Sequence, residues 1–260
     1  MDKFYYSVDQ NAILQNTTLI WPALTIGNVG QLSVDLLIST LKCKRIGYII
    51  DENIIPIIGN DTYTPNGSGV LSTSIEVYQP QDNKSNITIV QQRAPILEGH
   101  VQIFANKLIE WYKKENFREL LFISSTNANK RIDSQLVGDQ VRFVKSNGLK
   151  NESLNRILQC NIKETESNVM VDSYGDTVQL GNRLTGLGKE LWKISNEQSL
   201  SYLCLNLFCS EGDNTLDSMD MAKYISSYLN LFDSSKPIDF VIPNSWSLLQ
   251  GPTYDQALYF

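Results

Sequence analysis

Two carboxylates set two residues apart, Glu211 and Asp213 in Ser210-Glu211-Gly212-Asp213-Asn214, have the types and spacing for general acid and base work. That chemistry needs both groups to face one substrate with separated pKa values. A single short loop seldom aims two side chains across one cleft. The other reagent is His100, the one imidazole in 260 residues, which excludes multi-histidine metal sites, so no metal is expected. A nucleophilic triad would need His100 to meet a Ser or Cys at a strand end, and no Gly-x-Ser-x-Gly elbow occurs. Gly27-Asn28-Val29-Gly30 lacks the third glycine of a dinucleotide loop and the Lys of a phosphate loop, and Gly186-Leu187-Gly188 follows no strand, so no cofactor is expected. The glycines read instead as a turn and a close helix-to-strand approach, with Asp213 or Asn214 capping a helix that begins near Thr215.

The elements around these loops come from periodicity. An apolar run over 19–26, the glycine turn, and Leu32, Leu36, Leu37 and Leu41 at helical spacing read as strand, turn and helix. A strand over 45–50 completes a βαβ unit with two parallel strands in one sheet. Segments 74–78 and 87–92 alternate across a polar turn, predicting an antiparallel hairpin that extends one end of the sheet. Leu97, Val101, Phe104, Leu108 and Tyr112 define an amphipathic helix, followed by a buried strand over 120–124. Weak periodicity over about 127–183 predicts an irregular or inserted segment. Order resumes with a helix carrying Leu184, Leu187, Leu191 and Ile194, a strand over 200–209, and a helix with Met221, Ile225, Tyr228 and Phe232 inward. No linker divides residues 1–260, so the expectation is an α/β fold: a single three-layer domain with a mixed, mostly parallel sheet and helices on both faces.

Composition narrows the function. With 22 Lys+Arg against 28 Asp+Glu, the formal net charge is −6, which removes the basic surface that nucleic-acid binding needs. Lys42-Cys43-Lys44-Arg45 and Lys113-Lys114 read as solvated helix ends. There is no basic-then-apolar leader and no window of eighteen apolar residues, so no membrane partner is expected and the location is read as cytoplasmic or nuclear. Cys43, Cys160, Cys204 and Cys209 show no CxxC spacing and are read as structural thiols.

At this point the sequence resembles a known family. The residues from Pro22 through Gly27-Asn28-Val29-Gly30 to Leu41, then Ile46-Gly47-Tyr48, Gly59-Asn60 and Glu76-Val77-Tyr78, are similar to the proteasome assembly chaperone 2 family. Ser210-Glu211-Gly212-Asp213-Asn214 and Ile242-Pro243-Asn244-Ser245-Trp246 match in the family's order near the other end. The resemblance implies a fold similar to nucleoside phosphorylases without their active site, and a protein that is not an enzyme. It implies a heterodimer with proteasome assembly chaperone 1 that binds proteasome α-type subunits, around the fifth to seventh, promotes correct α-ring assembly and blocks off-pathway ring dimers. Gly27, Asn28, Gly30, Glu211, Gly212, Asp213, Asn214 and Trp246 are then loops of structure or interface. The competing reading is a nucleoside phosphorylase- or hydrolase-like enzyme with Glu211, Asp213 and His100 in its cleft.

The sequence closes on Leu258-Tyr259-Phe260, at the end of a segment over 252–260 read as a docking tail. A hydrophobic residue, a Tyr and a residue bearing a terminal carboxylate resemble the tails of proteasome activators and α-ring chaperones. Such a tail places an aromatic anchor in a pocket between α subunits and pairs its carboxylate with a lysine. With 12 Tyr in 260 residues and 42% hydrophobic residues, that pair falls at a given position about 2% of the time.

Overall fold

Neighbouring residues of each central strand supply two different cores. Leu19 and Trp21 pack on one side of the sheet and Ile20 on the other; Leu120 and Phe122 alternate with Leu121 and Ile123 in the same way. A strand buried on both faces loses polar alternation and reads as a continuous apolar run, which is what 19–26 and 120–124 look like. The computed structural model describes residues 3–64, 69–81, 86–166, 169–171, 177–179, 184–233 and 235–248. In chain order these form β1 (Tyr5–Ser7), β2 (Thr18–Pro22), α1 (Val29–Thr40), β3 (Lys44–Ile49), β4 (Ile58–Asn60), β5 (Leu71–Thr73), β6 (Ile75–Gln79) and β7 (Ile87–Gln92). They continue with α2 (Val101–Lys114), β8 (Glu119–Asn127), β9 (Val141–Lys145), α3 (Asn151–Gln159), β10 (Lys163–Glu164), β11 (Val169–Val171), β12 (Thr177–Gln179), α4 (Gly186–Glu197), β13 (Tyr202–Cys209) and α5 (Thr215–Leu229).

The α/β architecture is as expected. A nine-stranded mixed sheet runs in the order β1-β3-β6-β7-β2-β8-β13-β9-β10. Parallel pairings β7–β2, β2–β8 and β8–β13 make its centre, and antiparallel pairings flank them. Helices α2 and α4 cover one face through Phe104, Leu108, Trp111, Leu191 and Ile194. On the other face, α1, α3 and α5 pack through Val34, Leu37, Ile157, Met221 and Ile225. Met221, Ile225 and Tyr228 are fully buried, as the periodicity predicted.

Several expectations differ in place. The β6–β7 hairpin does not extend the sheet's end: it lies inside, between β3 and β2, and every residue of β7 is buried. The βαβ strands β2 and β3 do run parallel, with that hairpin between them. Helix α2 starts at Val101 rather than at Leu97, after Gly99 takes a φ of +78°. The 127–183 segment, read as irregular, holds two elements of the main sheet and a helix among its described residues, namely β9, α3 and β10. Four consecutive buried residues in β9 carry no period-2 signal, and α3 spans only nine residues, so pattern alone passes over both.

Candidate functional site

The carboxyl ends of β2, β8 and β13 meet where an open α/β sheet ordinarily receives a ligand. Here the chain fills that place with its own groups. Gly27 has a φ of +67°, and a Cβ built on it would lie 2.5 Å from Asn214 Nδ2. The missing side chain is therefore the space that Asn214 occupies. Asn214 is 4% exposed, and its Nδ2 donates to Ser210 O at 3.0 Å and to Gly212 O at 2.9 Å. One loop thus seats its plug against the other. Asn28 follows Gly27 with a φ of 51° and precedes α1. Gly30 lets α1 approach the sheet, since its Cβ would meet Ile123 O at 2.9 Å.

Hydroxyls beneath this plug are satisfied internally. Thr25 Oγ1 and Ser125 Oγ lie 2.7 Å apart, Ser125 Oγ donates to Ile26 O, and Thr126 Oγ1 donates to Asn206 Oδ1 at 3.0 Å. Cys209 Sγ is 3.6 Å from Ile26 O, and burial pushes its thiol up to about 11. At neutral pH such a thiol is almost wholly protonated and a poor nucleophile.

The carboxylates are not a facing pair. Glu211 is exposed, whereas Asp213 Oδ1 accepts from Thr215 N at 2.9 Å and from Thr215 Oγ1 at 2.6 Å, an Asx turn just ahead of α5. Of the two residues considered for the cap, Asn214 holds the N-cap position without a side-chain cap bond, and Asp213 supplies the turn before it. His100 sits at the start of α2 with Nδ1 2.6 Å from Asn53 Oδ1 in the loop after β3. Four strands separate β3 from β13 in the sheet, a distance of about 24 Å at the usual strand spacing. The structure therefore does not assemble His100, Glu211 and Asp213 into one cleft. Among the described residues, no group of three His, Cys, Asp or Glu is placed to hold a metal ion.

A second polar centre escaped the sequence reading. Asp35, 4% exposed on the inner side of α1, receives three donors on the same Oδ1: Tyr63 Oη at 2.5 Å, Gln91 Nε2 at 2.7 Å and Arg93 Nη2 at 2.9 Å. Burial, reinforced by the Asp35 carboxylate, holds the Tyr63 phenol well above its ordinary range. A lone Asp within Ser33-Val34-Asp35-Leu36-Leu37 was the available signal, because a charge inside an apolar run needs a partner.

This centre fixes the loop on which the C-terminal segment rests. Val241 N donates to Thr40 Oγ1 at 3.0 Å, and Ser245 N to Thr62 O at 3.3 Å. Trp246, 9% exposed, packs on the α1–α5 core within a short 3-10 turn over Asn244–Leu248. Leu258, Tyr259 and Phe260, with the whole 252–260 tail, lie outside the described residues.

Known proteins match this chain over most of its length. A protein from Danio rerio called proteasome assembly chaperone 2 is 34% identical over 264 residues, covering 98% of this chain and 100% of its own. The Homo sapiens protein of that name is 30% identical, with 95% and 96% covered. Among solved structures, Pyrococcus furiosus PbaA, an archaeal homologue of proteasome-assembly chaperone, superposes with a TM-score of 0.66 at 16% identity, covering 90% of this chain and 89% of that one. The family described as the PAC2 family matches residues 19–212, which run from β2 through the plugged strand ends to Gly212, and the chain belongs to it.

Proposed function

We propose that this chain is a proteasome assembly chaperone that works by binding and catalyses no reaction. The observation that carries the reading is the near full-length likeness to relatives named for that role, joined to a strand-end cleft occupied by the chain's own Asn214. The finer reading is a one-to-one heterodimer with proteasome assembly chaperone 1, docked on the forming α-ring in the cytoplasm or nucleus and favouring correct rings over ring dimers. Residues 1–260 are taken as one domain ending in the docking tail.

Exposed apolar surface supports an obligate partner. Ile55, Ile57, Ile58, Val70 and Leu71, on and beside the β4–β5 ribbon, are 38 to 75% exposed. Neither 53–60 nor 69–75 contains a charged residue, and the charge that reaches the ribbon is Arg45, whose Nη1 donates to Leu71 O at 2.9 Å while paired with Glu76. Charge depletion around exposed aliphatic side chains is the composition of an interface core, and a two-stranded ribbon is marginal in water without cover. We assign this ribbon to the partner chaperone and Leu258, Tyr259 and Phe260 to the ring.

The test is co-expression with the partner chaperone, light scattering of the product, and its affinity for isolated α-rings. Ile58→Asp is expected to abolish the heterodimer and leave the fold intact. If Phe260 bears the terminal carboxylate, removing it withdraws that carboxylate by about 3.3 to 3.6 Å; losing one charge-assisted hydrogen bond then weakens ring binding about tenfold to a hundredfold. Tyr259→Ala is expected to match that loss and Phe260→Ala to be milder. Phosphorolysis or hydrolysis of nucleosides that vanishes in Glu211→Gln would refute the binding-only reading.

A further inference from the structure

A charged side chain reaches the β4–β5 ribbon from the sheet beside it, and the backbone of β3 is altered to send it there. Arg45 stands opposite Tyr78 of β6 and Tyr48 opposite Glu76, so β3 takes three steps where β6 takes two. The residue in excess is Ile46, fully buried in the core on the α2 side. Unbroken alternation puts residues three apart on opposite faces of a sheet. A bulge resets that parity and re-aims a side chain. Here it brings Arg45 onto the face of Tyr48, with the guanidinium carbon 4.8 Å from the centre of the Tyr48 ring.

From that position one nitrogen, Nη1, donates to Glu76 Oε1 at 2.5 Å and to Leu71 O at 2.9 Å. Glu76 is fully buried, and its other oxygen accepts from Tyr78 Oη at 2.9 Å, so the carboxylate that steers Arg45 is itself fixed. Leu71 opposes Asn60 at the end of the ribbon remote from Ser74. At the near end, Ser74 Oγ donates to Ile55 O and accepts from Ile57 N, each at 2.9 Å. The ribbon is thus fastened twice, by a hydroxyl at its root and by a guanidinium at its far end. Ile58 and Leu71 stay 75% and 52% exposed on it.

We propose that Arg45 is a positioning residue, a latch that holds the β4–β5 ribbon against the sheet so that its aliphatic side chains meet the partner chaperone already in place. This rests on the assignment of the ribbon made above. Glu76 neutralises Arg45, so the latch lends the patch no net charge, and the partner surface that fits is apolar and uncharged. A two-stranded ribbon without support is marginal in water, and affinity falls with the fraction of molecules in the binding conformation. One charge-assisted hydrogen bond moves such an equilibrium about tenfold to a hundredfold.

The experiment uses the full chain. Arg45→Met is combined with Glu76→Gln, so that no buried carboxylate is left without its cation. In the free chain, hydrogen exchange read by mass spectrometry is expected to quicken about tenfold to a hundredfold over 58–60 and 71–73, and to stay unchanged over β8 and β13. With the partner chaperone, affinity is expected to weaken about tenfold through slower association at an unchanged dissociation rate, because the ribbon is latched less often before encounter and makes the same contacts after it. A second pair, Arg45→Gln with Glu76→Gln, has a side chain two bonds too short for Leu71 O and is expected to read the same even if the first pair fails to fold. Faster exchange across the whole sheet would overturn the proposal, because Arg45 would then serve the fold in general. Unchanged exchange in the ribbon would overturn it as well. A loss carried by faster dissociation would do so too, since Arg45 would then touch the partner itself. If Ile58→Asp leaves the heterodimer intact, the assignment of the ribbon to the partner fails, a result distinct from those because exchange in the free chain does not depend on it.

Discussion

Replacing Asp35 by Ala should be strongly destabilising, because it removes the buried acceptor of three donors. The carboxylate is 4% exposed and its Oδ1 serves Tyr63, Gln91 and Arg93 together. Removing it strands a guanidinium whose side chain is 21% exposed and whose Nε finds no acceptor among the described residues. Breaking one side of a buried ion pair costs about 3 to 5 kcal/mol. Because a fifth of Arg93 still reaches water, the lower end applies, about 3 kcal/mol. For a chain of this size each kcal/mol moves the melting temperature by about 2 to 4 °C, so Asp35→Ala should lower it by about 6 to 12 °C. Asp35→Asn keeps the oxygen that all three donors address and loses only its charge, which predicts about 1 to 2 kcal/mol. Pairing Asp35→Ala with Arg93→Met should recover part of the loss, since the stranded charge goes with it. Urea unfolding of the three variants beside the unaltered protein, at constant m-value, measures all of this. A cost below about 1 kcal/mol for Asp35→Ala, or no recovery in the double variant, would refute the claim that this network ties α1 to β7 and to the loop under Trp246.

Other consequences are quicker to check. Gly27→Ala should destabilise by about 1 to 3 kcal/mol, from the positive φ and the displaced Asn214, and a second change, Asn214→Ala, should relieve the steric share in denaturant titrations. Burial lifts the Cys204 thiol to about 12 and the Cys209 thiol to about 11, so at pH 7.5 about three in ten thousand Cys209 thiols are ionised; both should resist alkylation until the chain unfolds, as mass spectrometry after iodoacetamide will read. Burial alone would raise the Glu166 carboxyl, but the Gln135 amide, a backbone N–H and Arg142 outweigh it and hold it below its ordinary value. Its contribution is therefore fully present above the unfolded glutamate range, near pH 4.3, and disappears as pH falls through the lower folded value. Glu166→Gln should flatten that part of the stability curve.

The parts of the fold legible in sequence were those whose burial has one period. Helices α2, α4 and α5 each bury a stripe, and β2, β8 and β13 each carry an unbroken apolar run, 19–21, 120–123 and 202–205, so length and flanking turns identify them. Strand β9 was missed because Val141, Phe143 and Val144 flank a buried Arg142 whose guanidinium is satisfied by Asp139 O, Val141 O and Glu166. A charge inside a strand reads as surface until its partners are known, and those lie up to 24 residues away. The same limit hid Asp35, whose donors come from residues 63, 91 and 93. Hairpin β6–β7 was recognised from its alternation and placed wrongly, because alternation reports pairing between neighbours and says nothing of which further strand docks on β7.

The two loops singled out for chemistry turn out to explain each other. Catalysis at strand ends requires unsatisfied donors and acceptors that a substrate can answer. In this chain Asn214 answers Ser210 and Gly212, Thr25 answers Ser125, and Thr126 answers Asn206, so a polar ligand entering there would have to displace bonds already made. Displacement would also expose the space at Gly27, which only a residue without a Cβ can leave open to Asn214. Binding free energy must then come from groups outside the strand ends. The exposed aliphatics of β4 and β5 are one such source, apolar and free of nearby charge in sequence. Apolar surface of that kind, outside the strand ends, is what a protein partner buries.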